Sequence, residues 1–482
     1  MPLWQKNTFF EPEMRKFTDP QWGYAIDVFR KISARKKYAE KARLEYFNFY
    51  VECTSSGAWL KTYFTEWLRF IKLWANLFYF QLFKPVKPGK DIEFVFLISN
   101  NNTYIQHLKG IINHYIAEGK NIIILCPANQ FSVLQTKLDK DFLPYLVRLE
   151  QISSGGNFIT KTIRWLYSFC AAITDGFWFW GQGVEKSFYF SSSFCRYSLA
   201  HHYFSKEFRQ FFSTKRKLIA ADDHWFWESL VFYEARETDS ESFVLQHGVM
   251  GDFQYPMFAK KFLAWGKHDA DRMVNDFGAS SNEVEKAGSP FFDRVYLSHR
   301  DVSSTGQFDK PYITFLTQYF FDSPFVKPEH YREIIQRFYA LQPIADKYNR
   351  KLVIKLHPLD KATHYNDRGE NIILTREPLI DILEQSCIAL TLDSTSIYET
   401  ALLKIPIFQS HLKEITRFMD FSGFDLTIKT QSLDQQNESI DDLLSSELLY
   451  KERIAHQDKA LGNFFFALGD SINTMAGIID KG

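Results

Sequence analysis

At four points in this 482-residue chain, residues able to move a proton or hold a phosphate stand directly behind a short apolar run. Asp222, Asp223 and His224 follow the run 218–221; His247 and Gly248 follow 243–246; His357 and Pro358 follow 351–356; Asp393, Ser394, Thr395 and Ser396 follow 387–392. A histidine titrates near neutral pH and can act as base, acid or phosphate donor. A carboxylate can take the proton of an attacking hydroxyl, and a helix start rich in small hydroxyl residues offers free N–H groups to an anion. Each residue also has an ordinary use. Ser396 and Glu399 have capping-box spacing, and Asp393 or Ser394 is a normal N-cap. Asp222 or Asp223 can cap a helix beginning at Trp225, or the pair can bind a divalent ion. His247 can hydrogen-bond backbone within its glycine turn, and His357 can be a structural residue at a strand end.

These residues need elements to position them. Short β-branched runs alternate here with stretches of helical period, the pattern of a parallel sheet covered by helices. Strands are expected at 93–99, 121–126, 218–221, 243–246 and 262–265, and again at 312–317, 351–356, 371–375, 387–392 and 404–408; helices are expected at 103–118 and 225–236. In such sheets ligands sit at the carboxyl ends of the strands. Pro358 disfavours α conformation at His357, so that strand runs out at the histidine. Gln318 ends its own strand on the same edge. The loop 375–378 carries Arg376, which suits either a simple turn or a phosphate contact. Asn100, Asn101 and Asn102 follow the first strand without the spaced glycines of a dinucleotide fingerprint, so a classical NAD site is not supported.

Composition narrows the class. Lys plus Arg and Asp plus Glu balance at 57 each, so no global field recruits nucleic acid or anionic membrane, and any such binding must be local. Five cysteines, Cys53, Cys126, Cys170, Cys195 and Cys387, lie far apart and suggest neither a disulfide framework nor a zinc site. A reducing cytoplasm fits them, as does an N-terminus with no continuous apolar core of the secretory type.

Taken together, the motifs resemble GT-B-type glycosyltransferases, in particular bacterial capsule and surface-polysaccharide transferases and the related CDP-glycerol glycerophosphotransferases. Gln246-His247-Gly248, Trp265-Gly266 and Gly288-Ser289-Pro290 occur in that order, followed by His357-Pro358, the Ser394–Ser396 helix start and Lys404-Ile405-Pro406. The resemblance covers roughly residues 217–408. It implies that His357 contacts the donor phosphate, that Ser394, Thr395 and Ser396 hold the phosphates, and that Glu399 holds the ribose of a nucleotide. Gln318 and Arg376 join this donor side, while Asp222, Asp223 and His247 are the candidate bases on the other domain. Glu399-Thr400-Ala401 is also similar to the non-hydrolysing nucleotide-sugar 2-epimerases, but those carry a glycine pair where this chain has Thr395-Ser396.

The implied fold is α/β: two Rossmann-like domains (GT-B type), at 90–295 and 305–430, with an N-terminal helical segment at 1–89 and C-terminal helices at 431–482. The implied activity moves a sugar from a nucleotide-activated donor to a surface polysaccharide or lipid-linked acceptor, with no metal and no cofactor beyond the donor. A CDP-polyol phosphotransferase and a non-catalytic component of a polysaccharide assembly are the alternatives. Two stretches stand apart. Residues 20–52 are charged and helical in pattern. Residues 59–83 set Trp59, Leu60, Tyr63, Phe64, Trp67, Ile71, Trp74 and Phe78 opposite Lys61, Thr65, Arg69, Lys72 and Asn76, which suits either packing on the core or peripheral membrane contact at the inner face of the membrane. The aromatic-rich insertion 158–212 has too irregular a period to resolve, and 84–89 reads as a linker.

Overall fold

The computed structural model describes residues 59–80, 89, 91–99, 102–152, 158–181, 187–249, 257–300, 304–318, 321, 328–392, 394–411 and 419–482. The expectations for 1–58, most of the 84–89 linker, Asn100, Asn101 and Asp393 fall outside these residues.

Apolar runs form two separate sheets, each fully parallel. The first has the order β3-β2-β1-β4-β5-β6-β7, from β1 (Phe94–Leu97), β2 (Ile122–Cys126), β3 (Leu146–Arg148), β4 (Lys217–Ala220), β5 (Glu241–Leu245), β6 (Lys261–Ala264) and β7 (Val284–Lys286). The second has the order β10-β9-β8-β11-β12-β13, from β8 (Tyr312–Leu316), β9 (Lys351–Lys355), β10 (Ile373–Thr375), β11 (Ser386–Thr391), β12 (Ile407–Ser410) and β13 (Ile428–Thr430). Because both faces are covered by helices, the strands are apolar throughout rather than alternating: Phe94–Leu97 and Ile122–Cys126 are buried at every position. The expected pair of Rossmann-like domains is therefore the architecture of the chain.

In each sheet the chain first builds outward, then returns to the other side of its starting strand. The reversal lies between β1 and β4 in the first sheet and between β8 and β11 in the second. Crevices at such reversals are where doubly wound sheets bind ligands. Register fixes which residues reach that edge. Leu97 and Val244 both pair with Ala220, so Ser99, Asp222 and His247 emerge together. Leu316 pairs with Lys355 and Phe315 with Leu390, which brings Gln318, His357 and Ser394 to the corresponding edge of the second sheet.

The helices of the first domain are α1 (Trp59–Phe80), α2 (Asn102–Ala117), α3 (Ala128–Lys137), α4 (Phe158–Trp180), α5 (Ser187–Phe212), α6 (Phe226–Arg236), α7 (Lys267–Asn275) and α8 (Pro290–His299). The irregular-looking insertion is in fact regular. Its two long helices, α4 and α5, form a hairpin on which α1 packs. Trp74 stacks on Trp165 with ring centroids 4.3 Å apart, and Trp165 Nε1 donates to the Trp74 carbonyl. Trp67, Trp74 and Tyr63 of the expected stripe thus face protein, with Phe70 and Leu77 fully buried, whereas Phe64 and Ile71 of the same stripe are exposed. Sequence periodicity was blurred because aromatic residues also occupy the outer faces of α1 and α4.

The second domain adds α9 (Ser304–Phe308), α10 (Pro328–Tyr339), α11 (Gln342–Lys347), α12 (Leu379–Leu383) and α13 (Ser396–Leu402). Three helices close the chain: α14 (Leu433–Ser445), α15 (Glu447–Phe464) and α16 (Ser471–Lys481). The C-terminal helices expected at 431–482 are present and are interrupted twice. Ser446 accepts from the Leu449 amide and starts a new helix, while residues 465–470 form a bent strap with Ala467 and Gly469 at positive φ. That strap carries α16 back to the first domain, where Met475, Ala476 and Ile479 join the core beneath β1, β2 and β5.

Candidate functional site

The two reversal crevices face each other across an aromatic seam. Trp265 and Phe292 of the first domain pack with Tyr398, Phe421, Phe464 and Phe465 in one buried cluster. Beside it opens a cleft of about 240 Å³ lined by Gln106, His107, His247, Trp265, Phe291, Phe292, Thr395 and Glu399. Residues from both domains thus share one cavity. A Cβ placed on Gly248 would lie 3.9 Å from the Thr395 methyl, so the Gln246-His247-Gly248 turn directly confronts the helix start of the second domain.

Each motif has a mechanical explanation. Gln246 is buried and fully engaged: its Nε2 donates to Asp269 at 2.6 Å and to the Gly248 carbonyl at 3.1 Å, while its Oε1 accepts from the Trp265 amide at 2.8 Å. Trp265 Nε1 in turn donates to the Gln246 carbonyl. The turn carrying His247 is consequently rigid. Gly266 is required by close approach, because a Cβ there would meet the Phe464 carbonyl at 2.4 Å. Gly288 combines a φ of +77° with a Cβ direction blocked by Ser471 and the Phe466 carbonyl. Both glycines therefore serve the docking of the C-terminal strap.

On the first domain, His247 Nε2 lies 3.7 Å from Asp222 Oδ2, and the ring also hydrogen-bonds the backbone of Ala221. Tyr104 of α2 packs edge-on against this imidazole and reaches Asp222 at 3.4 Å, while accepting from Trp225 Nε1 at 3.0 Å. Burial drives the His247 pKa below its ordinary value despite the opposing pull of Asp222, so the ring is neutral at pH 7. For Asp222, burial acts upward but is outweighed by the hydrogen bond from His224 and the nearby charges of His247 and His224, leaving the carboxyl below its ordinary value. A neutral imidazole held by backbone and close to a carboxylate can take up a proton, and the carboxylate charge would stabilise the imidazolium so formed.

Asp222 and Asp223 divide their roles, and neither side chain caps α6. Asp223 points inward, accepting from the amides of Phe258 and Ala259 at 2.6 and 2.8 Å and pairing with His224 at 2.7 Å. Asp222, Asp223 and His224 bring ligand atoms within 4.8 Å of one another, a spacing that a divalent ion accepts. The Asp223 carboxylate, however, is committed to holding the 258–259 backbone, and Asp222 Oδ1 accepts from the His224 amide at 2.6 Å.

On the second domain the capping box is not formed. Thr395 is the residue before α13 and makes no side-chain cap; Ser394 Oγ accepts from the Ser396 amide at 3.3 Å. Glu399 is instead turned to the cleft. It is 8% exposed, its Oε2 has no partner, and burial raises its pKa to about 8. Ser396 Oγ, 9% exposed, likewise lacks a partner.

His357 stands on the same carboxyl edge, beyond the residues that line the cleft. Its amide donates to Thr317 Oγ1 at 2.8 Å, and its Nδ1 accepts from the Leu359 amide at 3.2 Å. An accepting Nδ1 fixes the proton of the neutral ring on Nε2. Burial, together with Lys355, keeps the pKa below its ordinary value against the pull of Asp360, which agrees with that tautomer. Arg376 is spent on backbone: its guanidinium donates to the carbonyls of Pro358 and Asp360 and braces the His357 turn. Gln318 is anchored through its amide, which donates to the Tyr331 hydroxyl at 2.9 Å.

Several residues of the site were not among the sequence candidates. Tyr104 and His107 occupy the first turns of α2, which follows β1 at the reversal; that placement after a strand end was the available signal. His107 is buried between Trp265 and Phe291, and burial, aided by His247 and Arg294, lowers its pKa to about 3. Glu228 of α6 bonds Ser99 Oγ beneath Asp222, and burial, with Asp222 next, raises its pKa to about 8.

No family model and no curated protein matches the chain. Among solved structures it is similar to a glycosyltransferase from Rickettsia africae, at 10% identity over 82% of this chain and 99% of that one, with a TM-score of 0.47. It is also similar to the UDP-GlcNAc 2-epimerase of Methanocaldococcus jannaschii, at 12% identity over 81% of this chain and 100% of that one, with a TM-score of 0.48. Likeness of this degree carries no argument about activity.

Proposed function

We propose that the chain is a glycosyltransferase that uses a nucleotide-activated sugar and a hydroxyl acceptor belonging to a surface polysaccharide or its lipid-linked precursor. One observation carries the reading: a histidine 3.7 Å from a carboxylate, and a buried carboxyl of the opposite domain whose Oε2 has no partner, open into one interdomain cleft. The first suits a base and the second a nucleotide ribose, which is how the motif resemblance assigns Glu399.

In the proposed reaction, the acceptor oxygen forms a bond to the anomeric carbon as the bond from that carbon to the phosphate oxygen breaks. The nucleotide departs with the bonding electrons, and the acceptor proton passes to His247 Nε2, which Asp222 stabilises as imidazolium. Charge appearing on the departing phosphate would be met by the Nε2–H of His357 and by the hydroxyls of Ser394, Thr395 and Ser396 at the start of α13. No step requires a metal.

The direct test is calorimetric titration of the full chain with CMP, CDP, UDP and GDP. One nucleotide is expected to bind preferentially. His357→Ala should weaken it by roughly ten- to a hundredfold, the value of one or two charge-assisted hydrogen bonds, with thermal stability unchanged. Absence of binding to all four, or unfolding of the variant, would sink the reading. Nucleotide binding without sugar release to any acceptor would favour a non-catalytic component.

A further inference from the structure

Trp67 and Trp74 are turned inward, but the opposite faces of α1 and α4 are apolar as well, and among the described residues nothing covers them. On α1, Phe64, Leu68, Ile71 and Tyr79 recur at intervals of three, four and eight residues on one face and are 50% to 67% exposed. On α4, Ile159, Ile163, Leu166 and Phe177, spaced by four, three and eleven residues, also share one face and are 49% to 67% exposed. The helices run antiparallel, with Phe70 against Phe169, Trp74 against Trp165 and Phe78 against Phe158. Both lean their inner faces on α5, so the two outer stripes lie side by side. Large contiguous apolar surfaces of this kind are rare on proteins without a partner for them.

Charge identifies the partner. Each helix carries a single carboxylate, Glu66 on α1 and Asp175 on α4, and both are turned inward at 3% and 4% exposure. Glu66 pairs with Arg69 and Arg196; Asp175 binds Ser198 and His202. Arg69 and Lys72 remain at the exposed margin of the stripe. An apolar face edged by cations and cleared of anions suits the boundary between acyl chains and anionic headgroups. Among the described residues no helix is long and apolar enough to cross a membrane, so the contact is superficial.

We propose that the outer faces of α1 and α4 together form a docking surface for an anionic lipid bilayer. The surface belongs to the first domain: α5, on which both helices lean, packs in turn on α6, with Tyr197 4.7 Å from Phe226. The docking itself stands independently of the transferase reading.

The test is co-sedimentation of the full chain with vesicles of phosphatidylglycerol in phosphatidylcholine, compared with phosphatidylcholine alone. The intact chain should pellet with the anionic vesicles and be released by salt, and Leu68→Glu combined with Ile163→Glu should weaken binding by about tenfold or more with the melting temperature unchanged. A second measurement leaves the surface apolar. Cys170 is exposed on the same face of α4, and an environment-sensitive fluorophore placed there, with Cys53→Ser to prevent double labelling, should shift to the blue when anionic vesicles are added. Intact protein that stays in the supernatant, or a folded double variant that binds undiminished, overturns the proposal. So does a probe already in apolar surroundings without lipid: dilution that frees it would identify a second copy of the chain as the occupant, and indifference to dilution would identify residues 1–58.

Discussion

The His247 imidazole works against its surroundings in a way that makes its role measurable. Burial lowers its pKa while Asp222 raises it, so a rate that needs the neutral ring should fall only on the acid side, through a pKa below the ordinary 6.5. Replacing Asp222 by Asn removes the raising charge and should move that acid limb to still lower pH, while cutting turnover by about a hundredfold or more. A purely structural aspartate would leave the limb where it was. Glu399 offers a second readout. With a pKa of about 8 it is mostly protonated at pH 7, yet two ribose hydroxyls are best accepted by a carboxylate. Nucleotide binding at pH 7 should therefore release a proton, seen as a binding enthalpy that varies with the ionisation enthalpy of the buffer, and Glu399→Gln should abolish the variation. His247, His357 and Glu399 were readable as candidates because a strand end or a helix start precedes each. The unsatisfied state of Glu399 was not, since Ser396 and Glu399 have the spacing of a box that the fold leaves unformed.

At the scale of elements, the glycine motifs prove to be joints. Gly266→Ala would drive a methyl into the Phe464 carbonyl, and Gly288→Ala adds a strained φ to a blocked direction. Each should cost about 1–3 kcal/mol or more, seen as a lower melting temperature and earlier proteolysis within 465–482. The sequence located these glycines correctly, but their contacts are with residues nearly 200 positions away. The two faces of α1 separate in the same experiment. Trp74→Ala removes a ring stacked on Trp165 and should cost about 3–5 kcal/mol, whereas Leu68→Ala, on the exposed face, should stay within about 0.5 kcal/mol.

At the scale of the whole molecule, three buried glutamates set how stability responds to pH. Burial raises Glu150 to about 7 and Glu228 and Glu399 to about 8, from an ordinary value of 4.5. Between 4.5 and 8 the folded chain holds protons that the unfolded chain has lost, so stability falls as pH rises across that window. The stabilising contribution is complete below 4.5 and gone above 8. Below 6.5 the buried His107, His247 and His357 act in the opposite sense, so it is from pH 6.5 to pH 8.5 that melting temperatures should decline, and Glu228→Gln should flatten the decline without changing the fold measured by circular dichroism. A slope of the opposite sign would mean that these carboxyls are ionised inside the protein. The two domains meet through the aromatic cluster around Trp265 and Tyr398, joined by the strap and α16, so unfolding in one cooperative step is expected.

What the sequence determined by itself was local. Apolar runs, the Pro358 stop and the helical periods between strands defined two parallel α/β units and put the reactive residues at strand ends, because secondary structure and its caps depend on near neighbours. Tertiary structure decided everything that depends on distant ones. It turned Asp223 inward to the 258–259 backbone and left Asp222 beside His247. It spent Arg376 on carbonyls of the His357 turn, and it broke the last helices so that the chain could cross back to the first domain. It also chose which of two apolar faces of α1 is core. Periodicity marks a face as apolar, but only the packing of α4 and α5 determines whether that face is covered.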